Sequence, residues 1–168
     1  MRETVGKNRY KGKVKKGEIE IIREQPVYEN QYGILYDDEV IFPSGVSGKY
    51  IRFLWKAPYS VAVLPVIEND RIALISSFRH GLRGWTLEIP KGFGKPDIPP
   101  KKVAQLELIE ETGLSCKRIH KLREITIDPS FIATKMILFV AEGCVQSQRP
   151  SPEDHEAIKS ILLRKFIK

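Results

Sequence analysis

Lys101-Lys-Val-Ala-Gln-Leu106-Glu107-Leu-Ile-Glu110-Glu111-Thr-Gly113-Leu114 is the stretch on which the fold turns. It reads as a helix from Lys101 to Thr112, closed by Gly113, a residue suited to the left-handed position that follows a helix. At about 100° per residue, Glu107, Glu110 and Glu111 fall within an arc of about 100°. Like charges at those spacings cost a helix tenths of a kcal/mol unless a cation sits among them. Val103, Ala104 and Leu106 flank the stripe, and no Lys or Arg lies one turn before it. An acidic stripe with apolar shoulders suits hard divalent cations, which prefer carboxylate oxygens; the plain alternative is an exposed acidic helix end. Upstream, Glu88-Ile-Pro-Lys91-Gly92-Phe-Gly94 holds two glycines that let backbone approach a ligand or turn a carbonyl toward a metal. A strand, a glycine loop and a carboxylate-bearing helix together point to metal-assisted phosphate chemistry.

Outward from this centre the chain reads as strands and turns. Glu18-Ile-Glu-Ile-Ile alternates; Gly33-Ile-Leu-Tyr ends at Asp37-Asp38; Val40-Ile-Phe runs into Pro43-Ser-Gly-Val-Ser-Gly; Tyr50-Ile-Arg-Phe-Leu-Trp follows. This predicts an antiparallel meander before residue 58. Val61-Ala-Val-Leu-Pro-Val-Ile and Ile72-Ala-Leu-Ile-Ser-Ser-Phe, joined by Glu68-Asn-Asp-Arg71, read as central strands of a second sheet. Strand-like segments return at residues 116–127 and 135–142. At the C-terminus, Ser151-Pro-Glu-Asp carries the cap, Pro and acids of a helix start, while Ile161-Leu-Leu reads equally as a last strand.

The 168 residues suffice for one well-buried domain with a small appendage, and 42% hydrophobic with 29% charged residues excludes collagen-like and mostly disordered chains. No apolar run reaches the roughly 18 residues of a membrane span. With no signal-like start, and with Cys116 and Cys144 far apart and outside any CxxC, the expectation is a soluble cytoplasmic protein with ordinary thiols. Residues 1–16 hold seven cations against Glu3, so nearly all of the net +7 belongs to a basic arm. Such an arm can bind polyanions, but Tyr10 is its one aromatic, and solvation rather than nucleic-acid binding is the expectation.

The spacing resembles the Nudix hydrolases, whose signature is a Gly, five residues, Glu, seven residues, Arg-Glu, an aliphatic, any residue, Glu-Glu, any residue, Gly and an aliphatic. Gly92, Glu107, Leu108, Glu110, Glu111, Gly113 and Leu114 match it without a gap. Ile98 stands where the first Glu belongs and Leu106 where the Arg belongs. Val61-Ala-Val-Leu-Pro-Val, Ser77-Phe-Arg-His, Leu87-Glu-Ile-Pro-Lys-Gly and Pro129 are similar to the ADP-ribose pyrophosphatase branch of that family. The resemblance implies an α+β fold (an α/β/α sandwich) with a mixed central sheet at 58–168, preceded by an N-terminal antiparallel β subdomain at 17–57 that commonly builds a homodimer.

The resemblance also implies roles. Glu107 and Glu111, with the carbonyl of Lys91, would bind Mg²⁺ or Mn²⁺, and Glu110 would assist catalysis. Arg79 would hold substrate phosphates; Glu88, Gly92 and Phe131 would shape the pocket. The implied activity is hydrolysis of a nucleoside diphosphate linked to another moiety, ADP-ribose above all, by metal-activated water. Leu106 would deprive the stripe of its usual partner, Asp97, one residue earlier and one methylene shorter, is the candidate to replace the missing first Glu, and Thr134 stands where the branch has a catalytic Glu. A hydroxyl is no general base near neutral pH. These departures keep two other readings open: a nucleotide-binding regulator without turnover, and an RNA-end hydrolase tethered by the arm. Trp85 and Phe93 are candidates to stack on a base; His80, His120 and His155 have no ligand spacing and read as structural or exposed.

Overall fold

A computed structural model describes residues 10–68, 71–154 and 156–165. The chain forms two compact units: the described parts of Met1–Pro58 with Thr126–Lys135, and of Tyr59–Ile125 with Met136–Lys168. Residues 1–9 of the basic arm lie outside the described residues, and the rest of the arm closes in a short 3-10 turn at Val14–Lys16.

The first unit is an antiparallel sheet built on β3 (Gly33–Ile41), which pairs along its whole length with β4 (Ser47–Trp55). Its other edge takes β1 (Glu20–Arg23) and then β2 (Pro26–Glu29). The tight turn into β3 is set by the Asn30 side chain, whose Oδ1 accepts the N–H groups of Tyr32 and Gly33 at 2.9 and 3.0 Å.

The expected break at Asp37-Asp38 is absent, and β3 runs straight through it. The reason is cross-strand charge pairing: Lys49 donates to Asp37 at 2.8 Å, Arg52 to Asp38 at 2.5 Å and Arg23 to Glu39 at 2.5 Å. Asp38 is buried, also accepts the Gln25 N–H, and its partner Arg52 stacks on the Tyr36 ring at 3.8 Å.

The second unit is a mixed sheet with α1 (Pro100–Thr112) packed on it, the α+β arrangement expected. Its strands run in the order β10 (Arg118–Thr126), β11 (Lys135–Glu142), β5 (Ser60–Ile67), β6 (Arg71–Arg79), β13 (Ile158–Lys165). β7 (Gly84–Glu88) adds to β6 and β8 (Lys91–Phe93) to β5, while β9 (Leu114–Ser115) pairs with β12 (Val145–Gln146). β11 and β5 are parallel, with Val63 opposite Phe139 and Pro65 opposite Ala141. Val61, Val63, Phe139 and Ala141 therefore share a face, and they pack with Val103, Ala104 and Leu108 of α1 into one core that also holds Cys144.

Gly113 ends α1 at φ 69°, its N–H donating to the Ile109 carbonyl at 2.7 Å; a Cβ there would lie 2.1 Å from the Gln148 carbonyl oxygen. The C-terminal ambiguity resolves as strand. The helix-start signal at Ser151-Pro-Glu-Asp is used for a single turn, in which the Glu156 N–H donates to the Glu153 carbonyl at 2.9 Å. Beyond it β13 pairs with β6, Ile161 opposite Ile75 and Leu163 opposite Ala73. An unpaired edge of β6 offers a ladder of hydrogen bonds that a local cap cannot outweigh. No helix of the described residues is long and apolar enough to cross a membrane.

Candidate active site

Two carboxylate centres lie in the second unit, and Lys91 touches both. Its backbone N–H donates to Glu111 Oε2 at 2.9 Å, while its Nζ donates to Glu88 Oε2. The register explains the first contact. Val63 donates its N–H to the Pro90 carbonyl, so Ala62 and Lys91 form the non-hydrogen-bonded pair of the ladder. Both the N–H and the carbonyl of Lys91 therefore turn away from β5.

Glu107 and Glu111 sit one turn apart on α1. Glu111 is 1% exposed and Glu107 is half-buried. Burial, then the neighbouring Glu110, pushes Glu107 up to about 7. Burial also carries Glu111 up to about 8, although the Lys91 N–H pulls the other way and Glu156 and Glu107 add to the rise. Among the described residues neither carboxylate has an ion pair. Gly92 lies directly against Glu107, and a Cβ at that position would stand 1.9 Å from Oε1. The glycine is thus required by close approach of the loop to the carboxylate.

The donor set fits a hard divalent cation: one buried and one half-buried carboxylate, neither in an ion pair among the described residues, with the Lys91 carbonyl turned away from β5 beside them. No three His, Cys, Asp or Glu side chains among the described residues converge as a ready-made cage, so the fit rests on those two side chains plus backbone.

Glu88 is the opposite case. Arg79 grips it with Nε on Oε1 at 2.8 Å and Nη2 on Oε2 at 2.6 Å, and Thr86 Oγ1 and Lys91 Nζ complete its shell. Burial raises its pKa, but hydrogen bonds from Arg79, Lys91 and Thr86 outweigh that and leave it at about 2. The pairing with Glu88 in turn raises Arg79 above its ordinary value.

The structure thus brings together Arg79, Glu88, Lys91, Gly92, Glu107, Glu110 and Glu111 in one unit. Phe131 is not among them: it belongs to the first unit, where its ring stacks on Phe53 at 6.3 Å between centroids and its carbonyl accepts the Phe53 N–H. Thr134 is buried in that same unit, its hydroxyl accepting the Trp55 N–H at 3.2 Å. Ile98 packs on the core and its carbonyl accepts the Tyr59 hydroxyl, while Asp97 is exposed at φ 64°. Trp85 is exposed beside Phe78, edge to face at 5.6 Å, and Phe93 is exposed on β8. His80 and His120 are exposed; His155 lies outside the described residues.

Sequence reasoning missed Glu153 and Glu156, whose charges bear on Glu107 and, for Glu156, on Glu111 and Arg79 as well. The Ser151 N–H to Glu110 carbonyl bond at 2.8 Å and the Phe78 N–H to Ala157 carbonyl bond at 2.9 Å bring that turn back between α1 and β6. A separate cleft of about 370 Å³, lined by Lys101, Gln105, Cys116, Lys117, Arg118, Ile119 and His120, shares no residue with the carboxylate site.

A carboxylate pair on a helix, abutted by a glycine of the adjacent strand on a mixed sheet, agrees with what the comparisons find. A NUDIX domain model matches residues 56–164. The chain is 30% identical to an ADP-ribose pyrophosphatase of Bacillus subtilis over 139 residues, covering 82% of this chain and 74% of the relative. It is 26% identical over 145 residues to a methanol dehydrogenase activator of Bacillus methanolicus, covering 86% and 77%. A crystal structure of an ADP compounds hydrolase shares the fold with a TM-score of 0.69 at 20% identity, over 87% of this chain and 76% of that one. The chain belongs to the Nudix family of hydrolases. Within it, the ADP-ribose pyrophosphatase-like branch is the one it stands in.

Proposed function

We propose that the protein hydrolyses the diphosphate of ADP-ribose or a related nucleoside diphosphate compound, with Mg²⁺ or Mn²⁺ held by Glu107, Glu111 and the Lys91 carbonyl. The observation that carries this reading is the pair of carboxylates without an ion pair among the described residues, Glu111 buried and bonded to the Lys91 N–H and Glu107 half-buried against Gly92. A divalent cation bound there would supply positive charge to the diphosphate and make water more acidic. Arg79 binds a phosphate oxygen through the guanidinium edge that Glu88 leaves open. Gly92 keeps the strand close enough to Glu107 to hold its carboxylate in place. Glu110, on the same stripe, assists as a further carboxylate.

Water adds its oxygen to one phosphorus and gives up a proton, the bond from that phosphorus to the bridging oxygen breaks, and the second phosphate leaves with the bridging oxygen and the bond electrons. For ADP-ribose the products are AMP and ribose 5-phosphate. Leu106 leaves the stripe without an Arg on its own helix, which makes its geometry dependent on the bound cation. The homodimer implied by the resemblance, with residues 17–57 as the candidate dimerisation element, belongs to the same reading.

The test is product analysis with ADP-ribose, nucleotide sugars and dinucleotides as substrates, with Mg²⁺ or Mn²⁺. The expected result is AMP and ribose 5-phosphate from ADP-ribose at a rate above the rest of the panel. Saturable nucleotide binding without turnover on any member would instead favour a ligand-sensing relative.

A further inference from the structure

Arg79 Nη2 and Lys91 Nζ donate to the same oxygen, Glu88 Oε2. Two nitrogens hydrogen-bonded to one atom lie within about 6 Å of each other. Glu88 accepts four donors in all, from Arg79 Nε and Nη2, Lys91 Nζ and Thr86 Oγ1, which saturates the lone pairs of a carboxylate. It is therefore a fixed anchor rather than a ligand-binding group. Taken by themselves, one anion and two cations leave one positive charge, and Glu111 and Glu156 are the acidic groups that also bear on Arg79.

The open side of that arrangement belongs to the cations. The Glu88 side chain is 14% exposed, whereas those of Arg79 and Lys91 are 39% and 34% exposed. Arg79 keeps both N–H groups of Nη1 and one of Nη2, and Lys91 keeps two N–H groups of its ammonium. The Lys91 backbone N–H is bonded to Glu111 and its ammonium to Glu88, so the residue joins the carboxylate site to the cation pair.

We propose that Lys91 and Arg79 form a two-cation clamp for a pair of adjacent phosphoryl groups, with Glu88 as the positioning residue that sets their spacing. The inference rests on the reading of this site as a diphosphate hydrolase and deepens it. A single phosphoryl group engages one arm of the clamp well; two adjacent groups engage both. The clamp thus selects for the diphosphate itself, whatever is attached to it, and makes Lys91 a determinant of substrate affinity through its side chain as well as its backbone.

The test is calorimetric binding of inorganic pyrophosphate and inorganic phosphate to the full chain with Mg²⁺, comparing wild type, Lys91→Met and Lys91→Arg. Met keeps most of the stem and the backbone, so Mg²⁺ affinity should change little, while loss of the Lys91–Glu88 bond should lower the thermal midpoint by less than Glu88→Gln does. Loss of a charge-assisted contact should weaken pyrophosphate binding about tenfold or more, with a smaller effect on phosphate. Arg should restore pyrophosphate to within about threefold of wild type. In turnover, Lys91→Met should raise KM for ADP-ribose more than it lowers kcat.

A Lys91→Met protein that binds pyrophosphate as tightly as wild type overturns the clamp, and so does a wild type that does not bind it. If wild type binds pyrophosphate in the expected order of variants but cleaves nothing on the substrate panel, the clamp stands and the hydrolase reading fails. If ADP-ribose is cleaved with an unchanged KM in Lys91→Met, the hydrolase reading stands and the clamp fails.

Discussion

Glu88 and Glu111 are the same residue type, joined through Lys91, and occupy opposite electrostatic situations. Glu88 holds two cations of the protein and sits at about 2. Glu111 is the more buried, receives one backbone N–H, and is pushed by burial up to about 8. A carboxylate already neutralised by its own chain anchors structure; one buried without a counter-charge is a place for a charge from outside. The difference teaches where in this molecule chemistry should be sought.

The largest effect should come from Glu111→Gln. Removing one ligand of a cation that stabilises transition-state charge by several kcal/mol should lower turnover on the order of 10³-fold. A steady-state assay with Mg²⁺ checks this, and the thermal midpoint without metal should not fall, since a costly buried carboxyl has been removed. Unchanged turnover would erase the contrast between the two centres.

Glu88→Gln probes the other side. It leaves Arg79 and Lys91 sharing a neutral amide, and the lost charge-assisted bonds should cost about 1–3 kcal/mol in chemical denaturation. The loosened cations should also lower kcat/KM on the order of tenfold to a hundredfold.

Next in size is pH. The folded-state values of Glu107 and Glu111 are raised above an ordinary value of 4.5 to about 7 and about 8. Between about pH 4.5 and pH 8 the unfolded chain has therefore released protons that the metal-free folded chain still holds. Metal-free stability should fall as pH rises through that window, and Glu107→Gln with Glu111→Gln should flatten the slope. Glu88 acts with the opposite sign: its contribution is present above 4.5 and is lost as pH falls toward about 2. Thermal scans at a series of pH values separate the two.

The smallest expected effect lies outside both centres. Thr134→Val leaves the Trp55 N–H without its hydroxyl acceptor and should cost about 1 kcal/mol of stability with kcat unchanged. A large loss of turnover would instead make Thr134 part of the chemistry.

Periodicity made the acidic stripe legible, while the members of the other centre were named through the resemblance and their mutual pairing was not. Gly92 and the acidic stripe are set by spacing along one helix and its preceding loop, so Glu107, Glu110 and Glu111 could be picked out from periodicity. The union of Arg79, Glu88 and Lys91 depends on β6 pairing with β7, with Phe78 opposite Trp85 and Ile75 opposite Glu88, and no local signal specifies that register. Glu156 was hidden for a similar reason: it comes beside α1 because β13 returns to β6. In the first sheet, Asp37-Asp38 looked like a turn because the cations that neutralise it, Lys49 and Arg52, arrive from the neighbouring strand. Phe131 was named for the pocket by likeness alone; within its own unit its ring stacks on Phe53, a contact that no local signal announces.

The most direct test of the contrast is a calorimetric titration of metal-free protein with Mn²⁺ near pH 6.5 in two buffers of different ionisation enthalpy. The account predicts saturable binding accompanied by proton release, since carboxyls held at about 7 and about 8 must ionise to take the metal, and loss of both signals in the Glu107→Gln, Glu111→Gln double variant. Mn²⁺ binding of equal strength in that variant would contradict it.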